Sequence, residues 1–185
     1  MTGLLFTLLA VLLSGIGARD QMLVAGITSR QGQRLSVLLV ALASTAATVA
    51  FAAWASAAFA AKMGGNVRLI FAAIALALAA MELIFTRARP APQEPTHSLG
   101  AFSIVLVAQQ LTDAVRFLVF ALAIATRSPL PCAVGGVVGG AVLITAGWMM
   151  GDDLAGRNLA PLRRGIGLVL LVPAALMALR GMAYI

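Results

Sequence analysis

The chain has 185 residues, of which 62% are hydrophobic and only 10% are charged, and its mean hydropathy is +1.03. A soluble domain carries roughly 25% charged residues to keep its surface hydrated, so this composition excludes a soluble globule and favours a lipid-facing, all-α chain. The net charge of +7 does not indicate a nucleic-acid partner, because the basic residues are scattered between apolar runs and are not clustered with aromatic residues.

Six stretches are long and apolar enough to cross a membrane, which takes about 20 mainly apolar residues in a helix. Glycine, proline, asparagine or charged residues separate them, as expected for turns. The first stretch has no basic residue ahead of it, unlike a secretory signal, so we interpret it as a retained span. The predicted spans are Gly3 to Thr28, Leu35 to Ala61, Val67 to Phe85, Leu99 to Thr126, Pro131 to Met150 and Gly165 to Tyr184.

The basic residues between these spans predict a topology, because cytoplasmic loops are rich in Lys and Arg. The first, third and fifth loops hold Arg30, Arg34, Arg87, Arg89, Arg157, Arg163 and Arg164. The other loops and ends hold Lys62, Arg68, Arg127 and Arg180. The larger set favours a multi-pass protein of a bacterial inner membrane with both termini outside.

The two halves of the chain align with one another at an offset of 95 residues, which places Lys62 on Arg157 and Arg68 on Arg163. We therefore predict a three-helix repeat in residues 1–88, a polar proline-rich linker in residues 89–98 and a second three-helix repeat in residues 99–185. An odd number of spans per half makes the second copy inverted in the membrane. Transporters with inverted repeats bind their substrates at the repeat interface, near the midplane.

Polar residues interrupt the first span, although ionisable side chains in hydrocarbon cost roughly 2.5–3.5 kcal/mol each. On a regular helix, Ser14, Gly17, Gln21 and Thr28 share one face. Asp20 lies beside that face and Arg19 points away from it. Gly17 has no side chain, so it permits the helix to deform or a neighbouring helix to approach closely.

The fourth span carries a polar stripe near its middle. On a regular helix, Gln109, Thr112, Asp113 and Arg116 lie within an arc of about 100°, with Gln110 to one side. Asp113 and Arg116 are spaced i,i+3 and are able to pair. A carboxylate at this depth indicates a functional site, while a closed ion-pair network of Arg19, Asp20, Asp113 and Arg116 that only fixes helix packing is the alternative.

The remaining features favour structural roles. Glu82 lies a turn from the membrane interface, where pairing with Arg87 or Arg89 is the favoured interpretation. In the fifth span, small residues four apart allow close helix contact, and these are Gly135, Gly136, Gly139 and Gly140. Cys132 is the only cysteine, so neither an internal disulfide nor a cysteine-based metal site is expected. No sequence motif for an enzyme or a cofactor occurs, so we expect neither an enzymatic activity nor a bound cofactor.

The chain resembles the Gdt-type calcium/manganese–proton antiporters, within the wider lysine-exporter-like superfamily. The resemblance covers nearly the whole chain as a pattern and is best over Gly151 to Met182. Each half of the family carries Glu-x-Gly-Asp-(Lys/Arg)-(Ser/Thr), usually followed by Gln. The first copy matches at Gly17, Arg19 and Gln21, with Gly15 and Ala18 in the acidic positions. The second copy matches at Asp113, with Gln110 in place of Glu and Arg116 in place of Gln, so the chain resembles a degenerate member.

The resemblance implies a secondary transporter that exchanges a divalent metal ion, manganese or calcium, for protons across the lipid bilayer. Asp113 would bind the ion or proton, supported by Gln110 and Thr112. Asp20 is two places from the family's carboxylate and is not implied by the motif, but with Gln21 it would complete the site from the opposite repeat. We therefore predict Asp113 and Asp20 as the metal ligands.

In this interpretation Arg19 and Arg116 would balance charge or gate the site. Two other functions stay open, namely a membrane scaffold or regulatory paralogue without transport, and an exporter of an anionic or zwitterionic solute. A homo-oligomer is compatible with the sequence, which does not fix the oligomeric state.

Overall fold

The structure, a computed structural model, describes residues 2–86 and 98–183 and contains no strand in those ranges. Its eight helices are α1 (Thr2–Ser14), α2 (Arg19–Gln31), α3 (Leu35–Ala60), α4 (Gly65–Phe85), α5 (Leu99–Leu111), α6 (Ala114–Thr126), α7 (Pro129–Ala155) and α8 (Ala160–Gly181). The predicted all-α class is therefore confirmed for the described ranges.

Four helices, α3, α4, α7 and α8, are each long and apolar enough to cross a membrane. The pairs α1–α2 and α5–α6 also pass the same test, but each is bent, by 56° and 50° respectively. The described chain thus has four candidate spans, or six if each bent pair crosses as one broken span. These apolar helices confirm the prediction of a multi-pass membrane protein.

The first and fourth predicted spans are bent pairs of helices, so the faces drawn for a regular helix do not extend across the bends. Between α1 and α2 the chain passes through Gly17 with a φ of +71°, and Ala18 is extended. Between α5 and α6 it passes through Thr112 and an extended Asp113. Hydrophobic periodicity assumes an unbroken helix, so it does not reveal these two bends.

The last two helices are longer than predicted. Helix α7 continues to Ala155 through a kink at Gly151, whose φ of +38° suits a residue without a side chain. Helix α8 begins at Ala160 rather than Gly165, because Pro161 is well suited to a first helical turn. Arg163 is consequently part of a helix and not of a loop.

The bounds of the helices in the two halves correspond closely. Helix α2 begins and ends 95 residues before α6, α3 ends 95 residues before α7, and α4 begins 95 residues before α8. Both bends therefore occur at equivalent points in the chain. Of the predicted linker, only Ser98 lies in the described ranges, where its Oγ accepts the Ala101 N–H and caps α5. Residues 89–97, and the pairing partners Arg87 and Arg89 proposed for Glu82, lie outside them.

Helix α7 is central to the packing and contacts α1, α2, α3 and α6, while α4 packs on α8 and α6. Its glycines lie at these contacts. A Cβ on Gly139 would meet Val11 of α1, and a Cβ on Gly140 would meet Thr45 of α3. Gly135 faces the backbone of α1, and Gly136 faces α3 and α6. These glycines thus let α1, α3 and α6 pack closely against α7.

Candidate functional site

The two bends bring two carboxylates to the centre of the helix bundle. Asp20 is the second residue of α2, and Asp113 immediately precedes α6. Each carboxylate therefore lies at the N-terminal end of a helix, where the unpaired backbone N–H groups favour negative charge. Both side chains are buried, because Asp20 is 6% exposed and Asp113 only 1%.

Arg116 joins these two carboxylates. Its Nη1 lies 3.2 Å from Asp20 Oδ2 and 3.1 Å from Asp113 Oδ2, and its Nε donates a hydrogen bond of 3.0 Å to Thr48 Oγ1 on α3. The residue is 3% exposed. One buried guanidinium thus balances carboxylates that come from both halves of the chain.

Gln110 completes the centre from the end of α5. Its Nε2 donates to Asp20 Oδ2 at 3.2 Å and to Thr45 Oγ1 at 2.9 Å, while Thr48 Oγ1 donates to its Oε1 at 3.2 Å. The prediction that Arg116 shares one helical face with Gln109 and Thr112 is wrong, because the bend lies between Arg116 and these two residues. Gln110 is buried at the centre, whereas Thr112 is exposed. Thr45 and Thr48 were not predicted, although a Thr pair spaced i,i+3 on an apolar helix is a sequence signal for them.

Gln21 stabilises the first bend through hydrogen bonds of both its side-chain oxygen and its side-chain nitrogen. Its Oε1 accepts the Gly17 N–H at 2.8 Å, and its Nε2 donates to the carbonyl of Leu143 on α7 at 2.9 Å. A Cβ on Gly17 would lie 2.9 Å from the side chain of Leu159. Gln21 and Gly17 therefore shape the bend and do not contact Asp113 or Arg116 through any of these bonds.

Arg19 connects α2 to the second bend. Its Nη2 donates to the carbonyl of Thr112 at 2.8 Å, to Thr112 Oγ1 at 3.0 Å and to the carbonyl of Gln109 at 3.2 Å. These carbonyls lie at the C-terminal end of α5, where a positive charge is favourable. The Nε of Arg19 also lies 3.4 Å from Glu82 Oε1.

Glu82 and Arg163 extend the network to α4 and α8. Arg163 Nη2 donates to Glu82 Oε2 at 2.7 Å, and both residues are buried. Glu82 therefore pairs with Arg163 and Arg19. Arg163 was predicted to lie in the fifth loop together with Arg164. Both are in α8, and Arg163 differs in being buried against Glu82.

The network contains three carboxylates and three guanidinium groups, so its formal charges cancel. It still leaves some buried atoms without a hydrogen-bond partner in the described ranges: Asp113 Oδ1, Arg116 Nη2, and Arg163 Nε and Nη1. A buried polar atom left unsatisfied costs about 1–3 kcal/mol, and more when it is charged. Glu82 Oε1 and Arg19 Nε also form no hydrogen bond with the described residues, so the arrangement retains unsatisfied acceptors as well as unsatisfied donors.

Few side chains at this site are suited to bind a metal ion. No group of three or more His, Cys, Asp or Glu side chains suited to a metal occurs within residues 2–86 and 98–183. A divalent ion prefers several oxygen ligands, and between the two predicted ligands, Asp20 and Asp113, lies the Arg116 guanidinium. The two carboxylates would fit such an ion only after Arg116 moves away.

No protein-family model, curated protein or solved structure matches the chain.

Proposed function

We propose that the protein is a membrane secondary transporter built from two inverted three-helix repeats, in which Arg116 acts as an internal cation. The observation that carries this proposal is the joint binding of Asp20 and Asp113, one from each half, to the same guanidinium. Inverted-repeat transporters place their sites where discontinuous helices meet. The equivalent positions of the two bends support this architecture, as does the packing of α1 on α7 and of α5 on α3.

The unsatisfied atoms support a second conformation. Asp113 Oδ1 and Arg116 Nη2 are buried without a hydrogen-bond partner in the described ranges, which is costly in a low-dielectric interior. Movement of one half relative to the other would give these atoms water or a substrate. We therefore propose that the site alternates between this arrangement and one that is open to one side of the membrane.

Charge balance indicates how ions would be exchanged. When the Arg116 side chain moves away from the two carboxylates, Asp20 and Asp113 carry two negative charges, which one divalent cation or two protons would neutralise. Gln110, Thr45 and Thr48 would then offer neutral oxygens around the pair. The resemblance to calcium/manganese–proton antiporters favours Mn²⁺ or Ca²⁺ as the substrate, exchanged for protons, with Arg116 holding the carboxylates together between the two loaded states.

Transport by the purified protein tests this proposal. In liposomes with an internal pH-sensitive dye, Mn²⁺ or Ca²⁺ added outside should drive proton movement in the wild type. Asp113→Asn should abolish it. Arg116→Gln should bind Mn²⁺ more tightly and turn over more slowly, because the competing guanidinium is gone. Arg180→Gln, which changes an exposed arginine in the last turn of α8, is the control. A folded wild type without metal-dependent proton movement would contradict the proposal.

The second candidate function is a structural membrane protein without transport. The equal number of carboxylates and guanidinium groups in the network favours it, since a neutral ion-pair network is able to fix helix packing alone. In that case Asp113→Asn and Arg116→Gln would lower thermal stability, and neither they nor the wild type would move ions.

A further inference from the structure

A gap opens between the consecutive helices α3 and α4, whose backbones stay apart although the ring centroids of Phe59 and Phe71 lie 5.9 Å from one another. Helix α6 forms its back wall. The gap has a volume of about 280 Å³, and apolar side chains line it almost entirely, including Phe51 and Ala55 of α3, Phe71 and Ala75 of α4 and Phe117 of α6. Arg116 and Thr48 also form part of its wall, so the gap reaches the charge network from the lipid-facing side.

The gap lies deep in the membrane. Thr48 is near the middle of α3, and Ala75 is near the middle of α4. At 1.5 Å per helical residue, Thr48 is roughly 20 Å from either end of α3. Phe51 and Ile74 at the mouth are more than half exposed, and at this depth the surrounding medium is hydrocarbon. Whatever fills the gap must therefore enter from the bilayer core.

Size and polarity select one occupant. The volume holds about nine groups the size of a water molecule, whereas a helix of a partner protein or of a second copy is about 10–12 Å across. A cavity with an apolar lining of this kind does not retain water. A lipid headgroup lies at the membrane surface, too far away to reach the middle of the spans. A hydrocarbon chain fits the volume, the apolar lining and the depth of the gap.

We propose that the acyl chain of a membrane lipid occupies the gap between α3 and α4 and covers the lipid side of Arg116. The chain fills the space between Phe51, Phe71 and Phe117 and excludes water from the guanidinium on this side. The inference rests on the shape, lining and depth of the gap and is independent of the proposed transport.

Photolabelling tests this proposal with the full-length protein. The protein is placed in nanodiscs of phosphatidylcholine and phosphatidylglycerol that contain a trace of phosphatidylcholine with a mid-chain diazirine, and the labelled peptides are identified by mass spectrometry. Labels should concentrate on the gap-lining parts of α3, α4 and α6. Ala55→Phe and Ala75→Leu, which fill the gap from opposite walls, should each reduce that labelling to less than half.

Two controls separate a bound chain from general lipid contact. Ala50→Phe adds the same bulk to an exposed face of α3 outside the gap, and it should leave the labelling unchanged. A lipid with its diazirine beside the headgroup should label the ends of the spans instead. Labelling spread evenly over the exposed helix faces, and unaffected by both filling substitutions in folded protein, would overturn the proposal. Labelling of the gap by the headgroup probe would overturn it as well.

Discussion

Arg116 Nη1 lies 3.2 Å from Asp20 Oδ2, although the two residues are 96 positions apart in the chain. The same nitrogen binds Asp113, three residues before it. One side chain thus joins the two bent helix pairs, and the stability of the bundle should depend on it more than on either carboxylate.

Arg116→Gln should destabilise the protein more than Asp113→Asn. Loss of the guanidinium leaves two buried carboxylates unbalanced, and breaking a buried pair by removing one partner costs about 3–5 kcal/mol. Adding Asp113→Asn to Arg116→Gln should recover part of that loss, because one of the two unbalanced charges disappears. The measurement is the Tm of each variant in the same detergent. A double variant less stable than Arg116→Gln would show that the two residues do not act through this charge balance.

Gln110→Leu should be clearly more destabilising than Gln109→Leu, although the two glutamines are neighbours. Gln110 binds Asp20, Thr45 and Thr48, and its loss leaves buried groups without partners at about 1–3 kcal/mol. The side-chain oxygen of Gln109 has no hydrogen-bond partner in the described part of the chain. Unfolding measured side by side should separate the variants, and equal effects would favour the regular-helix arc over the observed bend.

The membrane class was predictable because it depends on composition and on runs of apolar residues, which hydrocarbon requires of any spanning helix. The bounds of α3 and α4 were close to the predicted spans for the same reason. Asp20, Asp113 and Arg116 stood out because charged residues are rare at such depth. The residues around them were harder to predict from the sequence. A bend at Thr112 and Asp113 changes which side chains face inward, and the apolar periodicity continues across the bend.

Other parts of the network depend on contacts between distant helices. Arg163 and Glu82 are 81 residues apart and meet only because α4 packs on α8. Arg163 stands beside Arg164 in the sequence, and nothing local distinguishes the buried arginine from the exposed one. Nothing in the sequence indicates that the Leu143 carbonyl accepts a hydrogen bond from Gln21, because every residue carries a backbone carbonyl.

Arg163→Gln and Arg164→Gln form a matched pair. Arg163 is buried and bonded to Glu82. Its replacement leaves that carboxylate with Arg19 alone, at 3.4 Å, and should cost about 1–3 kcal/mol. Arg164 is exposed, and substitutions at such positions usually change stability by about 0.5 kcal/mol or less. The Tm of the two variants should therefore differ clearly. Glu82→Gln combined with Arg163→Gln should be milder than Arg163→Gln alone, and a similar Tm for Arg163→Gln and Arg164→Gln would place Arg163 in contact with lipid or water.

Gly136→Ala should destabilise the bundle, whereas Gly165→Ala should not. A Cβ on Gly136 would lie 2.7 Å from Val119 Cγ2 and 2.9 Å from Val49 Cγ1, so α7 would have to move away from α6 and α3. Overpacking of this kind costs about 1–3 kcal/mol. A Cβ on Gly165 would meet nothing within 4 Å, and replacing a helical glycine there should gain up to about 1 kcal/mol. Thermal unfolding of both variants measures the contrast, and a tolerated Gly136→Ala would mean that α7 is not held as closely against α3 and α6 as its glycines indicate.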